Sequence, residues 1–120
     1  NQGLLVTAAT IHMSLLGAEG LARVAGACHA NTADLVARLT AVDGVEPLFT
    51  GPAFHETVLR LPRPGADVLG GLAEHDVLGG YDLAEDYPEL GNAVLICATE
   101  MRGEADRAQY QQALAGVIAA

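Results

Sequence analysis

Apolar residues spaced by three and four positions predict two helices in the first third of the chain. The first run, residues 4–16, ends at Gly17. The second begins after Gly20 and keeps its apolar residues on one side, as expected of a helix that packs on a core. Arg23, Asn31, Asp34 and Arg38 form its predicted solvent-facing side. Gly44 ends it, because glycine readily adopts the left-handed conformation that follows many helices.

Shorter patterns then predict strands around a short helix. Residues 45–49 form an edge strand, since Pro47 lacks the N–H that a central strand would need. The next strand alternates, with one face carrying His55, Thr57, Leu59 and Leu61 and the other carrying Glu56 and Arg60. A short helix is predicted over residues 65–75. The most apolar short run, residues 93–98, predicts a buried strand. The last helix places Tyr110, Leu114, Val117 and Ile118 on its buried side.

The predicted order is helix, helix, strand, strand, helix, strand, helix. This order indicates an α+β fold, in which helices pack on one face of a small, mainly antiparallel sheet. The length of 120 residues suits a single domain over residues 1–120.

The first helix is apolar on nearly every side. Such a helix is normally buried on most sides, which is difficult in a domain of 120 residues. We therefore expect an upstream portion of the protein or a partner chain to cover one face, including Ile11 and Leu15. The chain alone is expected to self-associate through this surface.

Charge and cysteine content narrow the range of partners. The net charge of −9 argues against nucleic acid and against an anionic membrane surface. No signal peptide is recognisable, and we expect no apolar run to be long enough to span a bilayer. Cys28 and Cys97 both fall in apolar patterns, so we expect two buried, reduced thiols. These features predict a cytoplasmic protein.

The chemical inventory of the chain is small. All six basic residues are arginines, so the chain has no lysine to form a Schiff base. The four histidines show no metal-ligand spacing, and no metal site or catalytic residue is predicted. Thr99 and Glu100 are the best-placed polar pair, because strand ends that lead into helices often face ligands. Capping of the next helix explains the pair equally well.

Two other features also have two interpretations. Gly79-Gly80 suits either a phosphate-binding loop or a plain turn. The acidic residues that follow suit either a cation site or a solvated loop, although their spacing matches no calcium loop. These residues are Asp82, Glu85, Asp86 and Glu89.

Several segments together resemble one family. In order they are Asn1-Gln2 before an apolar helix, Leu16-Gly17-Ala18-Glu19-Gly20-Leu21, Phe54-His55-Glu56-Thr57-Val58-Leu59-Arg60-Leu61-Pro62, Leu78-Gly79-Gly80-Tyr81-Asp82-Leu83, Tyr87-Pro88-Glu89-Leu90, and Cys97-Ala98-Thr99-Glu100-Met101-Arg102. The chain resembles the C-terminal region of glycine dehydrogenase (decarboxylating) subunit 1, which is the P-protein of the glycine cleavage system in its two-subunit form. The resemblance covers essentially the whole chain but only about a quarter of such a subunit.

The resemblance implies the small C-terminal domain of a fold-type-I enzyme that uses pyridoxal 5'-phosphate (PLP). In that family glycine is decarboxylated, and its aminomethyl group passes to the lipoyl group of the H-protein. Subunit 2 supplies the lysine that holds PLP, which is consistent with a chain that has none. The family's catalytic residues lie mostly upstream, so only Asn1, Gln2, Thr99 and Glu100 are candidates for the cofactor's vicinity.

The chain departs from the family pattern at two positions. Asp76 replaces a small turn residue, and Gly103 replaces the Thr or Ser expected to cap the last helix. Two alternatives also remain. One is the small domain of another fold-type-I enzyme, an aminotransferase or a desulfurase, for which Arg60 or Arg102 would bind the substrate carboxylate. The other is a free-standing amino-acid-binding regulatory module.

Overall fold

A computed structural model describes residues 2–120, so the candidate Asn1 lies outside the described part. The α+β fold class is confirmed. The described elements are α1 (Gly3–Leu39), β1 (Glu46–Pro47), β2 (Glu56–Arg60), α2 (Gly65–Ala73), β3 (Tyr81–Asp82), a 3-10 turn (Pro88–Leu90), β4 (Ala93–Cys97) and α3 (Glu104–Ala119).

Helix α1 consists of two arms separated at Gly17. This glycine has φ 64° and ψ −179°, which is not a helical conformation. A positive φ is readily available only to glycine, so the residue type explains the break. We call residues 3–16 the apolar arm and residues 18–39 the core arm. The two predicted helices correspond to these two arms.

The four strands form one sheet in the order β1-β2-β4-β3, and every pairing is antiparallel. Strand β4 lies inside the sheet, as expected for the most apolar run. Strand β1 is an edge strand that contains Pro47, also as expected. Strand β3 was not predicted, because two residues are too few to show the alternation that identifies a strand.

The core lies between one face of the sheet and the helices. Its largest fully buried side chains come from the core arm, both long strands, α2 and α3; they are Leu39, Leu59, Leu72, Ile96, Leu114, Val68 and Val94. Leu59 of β2 and Val94 and Ile96 of β4 are buried, whereas Glu56, Arg60 and Cys97, which point to the opposite side, are exposed, because successive side chains of a strand point to opposite faces. We call the opposite face of the sheet, which carries Glu56 and Cys97, the outer face.

The apolar arm lies outside this core. Leu4 is 80% exposed and Leu15 is 82% exposed. An 18-residue window of α1 has a hydropathy of 1.4 with none of it buried, so α1 is long and apolar enough to cross a membrane, contrary to our expectation. Core helices and signal sequences pass the same test. The arm is thus an apolar surface that the described residues leave uncovered.

The Gly79-Gly80 turn packs tightly against two elements. A Cβ atom at Gly80, where φ is 146°, would lie 2.3 Å from the carbonyl oxygen of Leu95. A Cβ atom at Gly79 would lie 2.5 Å from a methyl group of Leu72. Both distances are shorter than van der Waals contact, so packing alone accounts for the two glycines and favours the plain turn.

We predict that Gly80→Ala destabilises the fold by about 2 kcal/mol or more, because the new methyl group meets backbone that cannot move without distorting β4. Urea denaturation would measure this change. Gly70→Ala is the matched control: its Cβ would meet nothing within 4 Å, and Gly70 lies on the exposed side of α2, so the change should stabilise the helix by up to about 1 kcal/mol. Equal stability of Gly80→Ala and the parent chain would contradict the observed packing.

Candidate functional site

A groove of about 490 Å³ lies where the glycine turn, the outer face of the sheet and the start of α3 meet. Its lining includes charged groups of both signs, namely Glu56, Asp76, Arg102, Asp106 and Arg107. The rest of the lining comes from Leu35, Val77, Leu78, Gly79, Gly80, Tyr81, Leu95, Cys97, Gln109 and Tyr110.

Helix α3 holds the wall of the groove in place through two hydrogen bonds. The Tyr110 hydroxyl donates to the Gly79 carbonyl. The Gln109 side chain donates to the His75 carbonyl over 3.0 Å. Burial raises the pKa of Tyr110 far above its ordinary value. Tyr110 therefore stays protonated at neutral pH and acts as a structural donor.

Asp76, the first departure from the family pattern, ends helix α2. Its φ is 59°, in the left-handed region. The N–H of the next residue, Val77, returns to the Leu72 carbonyl over 3.1 Å, as at many helix ends. Asp tolerates this conformation better than most residues but less well than glycine. The departure therefore affects a local turn.

Gly103, the second departure, begins helix α3 without a side chain to cap it. Its own N–H instead donates to the Asp106 carboxylate over 2.9 Å. Asp106 therefore supplies one half of the usual capping interaction, and its negative charge is favourable in the first turn.

Arg107 connects three segments beside the groove. Its guanidinium donates to Asp34 at 2.6 Å, to Asn31 at 2.9 Å and to the Arg102 carbonyl at 2.6 Å. Hydrogen bonds from Arg38 and then Arg107 lower the pKa of Asp34. The predicted solvent-facing side of the core arm is thus partly covered by α3. The sequence shows only the charges, and the tertiary structure decides which of them meet.

Thr99 and Glu100 fasten the end of β4 to the core arm. The Asn31 side chain donates to the Thr99 carbonyl over 2.9 Å. The Cys28 thiol donates to the Glu100 carboxylate over 3.3 Å, and the Glu100 N–H donates back to the sulfur at the same distance. Neither Thr99 nor Glu100 lines the groove, although Cys97 and Arg102 on either side do. A role for Thr99 and Glu100 near the cofactor stays a prediction.

Gln2, the remaining candidate, precedes the apolar arm and is exposed. Its backbone carbonyl accepts from the Val6 N–H over 2.9 Å, which begins the helix. Gln2 does not line the groove. Its predicted place near the cofactor also stays a prediction.

The expectation for the cysteines is half wrong. Cys28 is buried, but Cys97 is exposed, and both are free thiols. Cys97 shares the outer face of the sheet with its strand partner Glu56, and the helices pack on the other face. Partial burial, followed by the charge of Glu56, raises the pKa of the Cys97 thiol.

The structure also brings together three side chains that sequence spacing does not associate. A ligand atom from each of His55, Glu56 and Cys97 lies within 4.8 Å of the other two. Local spacing shows no sign of this cluster, because strand pairing joins residues 41 positions apart. His55 belongs to it because the chain bends just before β2, so its ring is not restricted to the face predicted by alternation.

The two arginines considered for carboxylate binding differ in their surroundings. Arg60 forms an ion pair with Glu46 at 3.2 Å on the edge of the sheet. Arg102 is exposed and lines the groove, and its guanidinium forms no ion pair with any of residues 2–120. The geometry is therefore compatible with the alternative in which Arg102 binds a substrate carboxylate at this groove.

The fold and the composition together define a class of protein. The chain forms an α+β domain that has no lysine and so cannot hold PLP covalently through a lysine of its own. No family model matches the chain. The chain is 59% identical over 98% of its length to the probable glycine dehydrogenase (decarboxylating) subunit 1 of Methylococcus capsulatus. It is 56% identical over 99% of its length to the protein of the same name from Thioalkalivibrio sulfidiphilus.

A solved structure gives the same result at the level of the fold. The crystal structure of glycine decarboxylase (P-protein) of the glycine cleavage system, in inhibitor-bound form, matches 89% of the chain with a TM-score of 0.83 and 34% identity. The chain spans about a quarter of the length of these relatives, 26% for the two subunits and 24% for the solved chain. The predicted resemblance is confirmed: the chain is homologous to a segment of glycine dehydrogenase (decarboxylating) subunit 1.

We predict that the two thiols of the native chain react at very different rates with a thiol reagent. Cys97 should react quickly, whereas Cys28 should react only on unfolding, because it is buried and bonded to Glu100. Since the Cys97 pKa is raised, its labelling rate should continue to increase with pH beyond the point where an ordinary thiol levels off.

Single-cysteine variants test this assignment. Cys97→Ser should remove the fast reaction, and Cys28→Ser should leave it intact. Fast labelling that survives in Cys97→Ser would show that Cys28 is accessible, contrary to the structure.

Proposed function

We propose that this chain forms the small C-terminal domain of subunit 1 of a glycine dehydrogenase (decarboxylating). The observation that supports this proposal is 59% identity to such a subunit over 98% of the chain. The TM-score of 0.83 to a glycine decarboxylase P-protein supports it independently through the fold. The aminotransferase, desulfurase and free-standing module alternatives have no comparable support among these relatives.

In the intact enzyme, we propose, glycine loses its carboxylate as CO2 and its aminomethyl group passes to the lipoyl group of the H-protein. PLP would serve as the electron sink of this reaction. A subunit 2 would supply the lysine that holds PLP; these 120 residues contain no lysine that could do so. The relatives' designation as subunit 1 itself implies a partner subunit.

A chimera tests the proposal directly. The homologous quarter of the Methylococcus capsulatus subunit would be replaced by this chain and combined with subunit 2, PLP and lipoylated H-protein. We expect glycine-dependent CO2 release within about tenfold of the parent enzyme, because the packing residues of the segment are largely shared at 59% identity.

Two control chimeras sharpen the test. One carrying Gly80→Ala should lose activity together with stability, and one carrying Gly70→Ala should retain both. A chimera that folds and assembles but transfers the amino group to a 2-oxo acid, without releasing CO2, would favour the aminotransferase alternative.

We also propose that the apolar arm contacts the rest of subunit 1 or its partner subunit. The support is the exposure of its large side chains, with Ile11 55% exposed and Leu15 82% exposed. Burial of a side chain such as leucine is worth about 1.5–3 kcal/mol. Several of them in water are therefore a strong driving force for association, and the chain alone should self-associate.

Leu15→Asp tests the role of the arm. We expect the variant to be monomeric at concentrations where the parent chain associates, without loss of stability, because Leu15 contributes little to the core. Sedimentation velocity and urea denaturation measure the two effects. Leu78→Asp is a matched control, since Leu78 is 96% exposed but lies outside the arm.

Two outcomes would contradict this role. Either the parent chain stays monomeric at high concentration, or Leu78→Asp disrupts association as strongly as Leu15→Asp does.

We propose a cytoplasmic location for the intact enzyme. The support is the pair of free thiols, Cys28 and Cys97, which suits a reducing compartment.

A further inference from the structure

A cluster of three potential metal ligands lies at one end of the outer face. A ring nitrogen of His55, a carboxylate oxygen of Glu56 and the sulfur of Cys97 all lie within 4.8 Å of one another. We propose that these three residues bind a divalent metal ion with the preferences of zinc. The proposal does not depend on the reaction of the intact enzyme.

Strand pairing brings two of the ligands together. Glu56 and Cys97 are partners in the register of β2 and β4. The N–H of Ala98 donates to the carbonyl of His55 over 3.1 Å, which makes Glu56 and Cys97 a non-hydrogen-bonded pair. Side chains of such pairs leave the same face of a sheet and lie close together. These two ligands are therefore positioned by rigid backbone.

His55 supplies the third ligand from the bend before β2. Its ring packs edge-on against Phe54, with ring centroids 4.8 Å apart and an angle of 86° between the ring planes. Its Nδ1 atom is buried and has no hydrogen-bond partner, the one such side-chain atom found among residues 2–120. A buried polar atom without a partner carries an energetic cost. A metal ion coordinated by Nδ1 would supply the partner that this atom lacks.

The three donor atoms match the chemistry of zinc, which binds Cys sulfur at about 2.3 Å and His nitrogen at about 2.0 Å. In a tetrahedral site these donors would lie about 3.3–3.6 Å apart. Glu56 and Cys97 are exposed. If rotation of their side chains moved the donor atoms by about an ångström, the three donors would reach these distances. On binding, the Cys97 thiol would release its proton to solvent and bind as the thiolate.

Three protein ligands leave a fourth position on a tetrahedral metal. Closed structural zinc sites use four protein ligands, whereas an open position binds water or another small ligand. Glu56 and Cys97 also line the groove. The open position would therefore be reached from the groove, where the exposed Arg102 offers a positive charge to an anionic ligand.

Titration of the metal-free chain with Co2+ and then Zn2+ tests the site. We expect one equivalent of Co2+ to produce a thiolate-to-cobalt charge-transfer band, which one equivalent of Zn2+ abolishes. Zn2+ should also slow the labelling of Cys97 at least tenfold in the unmodified chain, a measurement that needs no variant.

Variants assign the ligands. Cys97→Ser should remove the charge-transfer band, and His55→Ala should weaken Zn2+ binding at least tenfold by calorimetry. Cys28→Ser is the matched control and should keep the band, because Cys28 lies outside the cluster. Asp86→Asn tests whether the acidic loop binds the ion instead, and it should change nothing.

Some results would overturn the proposal. The absence of a charge-transfer band with the unmodified chain would do so, as would Zn2+ that leaves the rate of Cys97 labelling unchanged. Binding that survives both Cys97→Ser and His55→Ala but is lost in Asp86→Asn would instead place the ion on the acidic loop.

Discussion

The pairing of β4 with β2 is the interaction on which the rest of the structure depends. Five residue pairs join the two strands, from Glu56–Cys97 to Arg60–Ala93. This register decides which side chains face the helices and which face outward, because a shift of one residue would exchange the two faces. Val94 and Ile96 enter the core, and Cys97 is left on the outer face.

Strand β4 also organises the polar contacts beyond its end. The chain leaves it through Ala98 and Thr99, whose carbonyls accept hydrogen bonds from Thr32 and Asn31 of the core arm. Arg107 then holds the following loop against the same arm. These hydrogen bonds maintain the shape of the groove, and this structural role requires no part in chemistry.

The exposed apolar arm and the groove lead to two separate expectations about the intact enzyme. The arm offers apolar area, which favours stable contact with other protein. The groove combines charged side chains with a tightly packed glycine turn, which suits a small polar ligand more than a protein surface. The first expectation concerns assembly, and the second concerns chemistry that the proposed metal site would bring to this domain.

Much of the fold was predictable from local patterns. The break at Gly17, the strand at β4, the edge position of Pro47 and the buried side of α3 all follow from glycine and proline stereochemistry or from hydrophobic period. These signals lie within one element, so one sequence is enough to read them. Strand β3 was missed because its pairing with β4, rather than its two residues, makes it a strand.

The candidate site was much less predictable than the fold. Thr99 and Glu100 follow the end of β4, as predicted, but their contacts with Cys28 and Asn31 depend on residues about 70 positions away. The sequence by itself determined the elements, their amphipathic faces, the lack of lysine and the family resemblance. Only the tertiary structure decided that Cys97 is exposed and that it meets His55 and Glu56, because strand register and the packing of helices on one face are long-range properties.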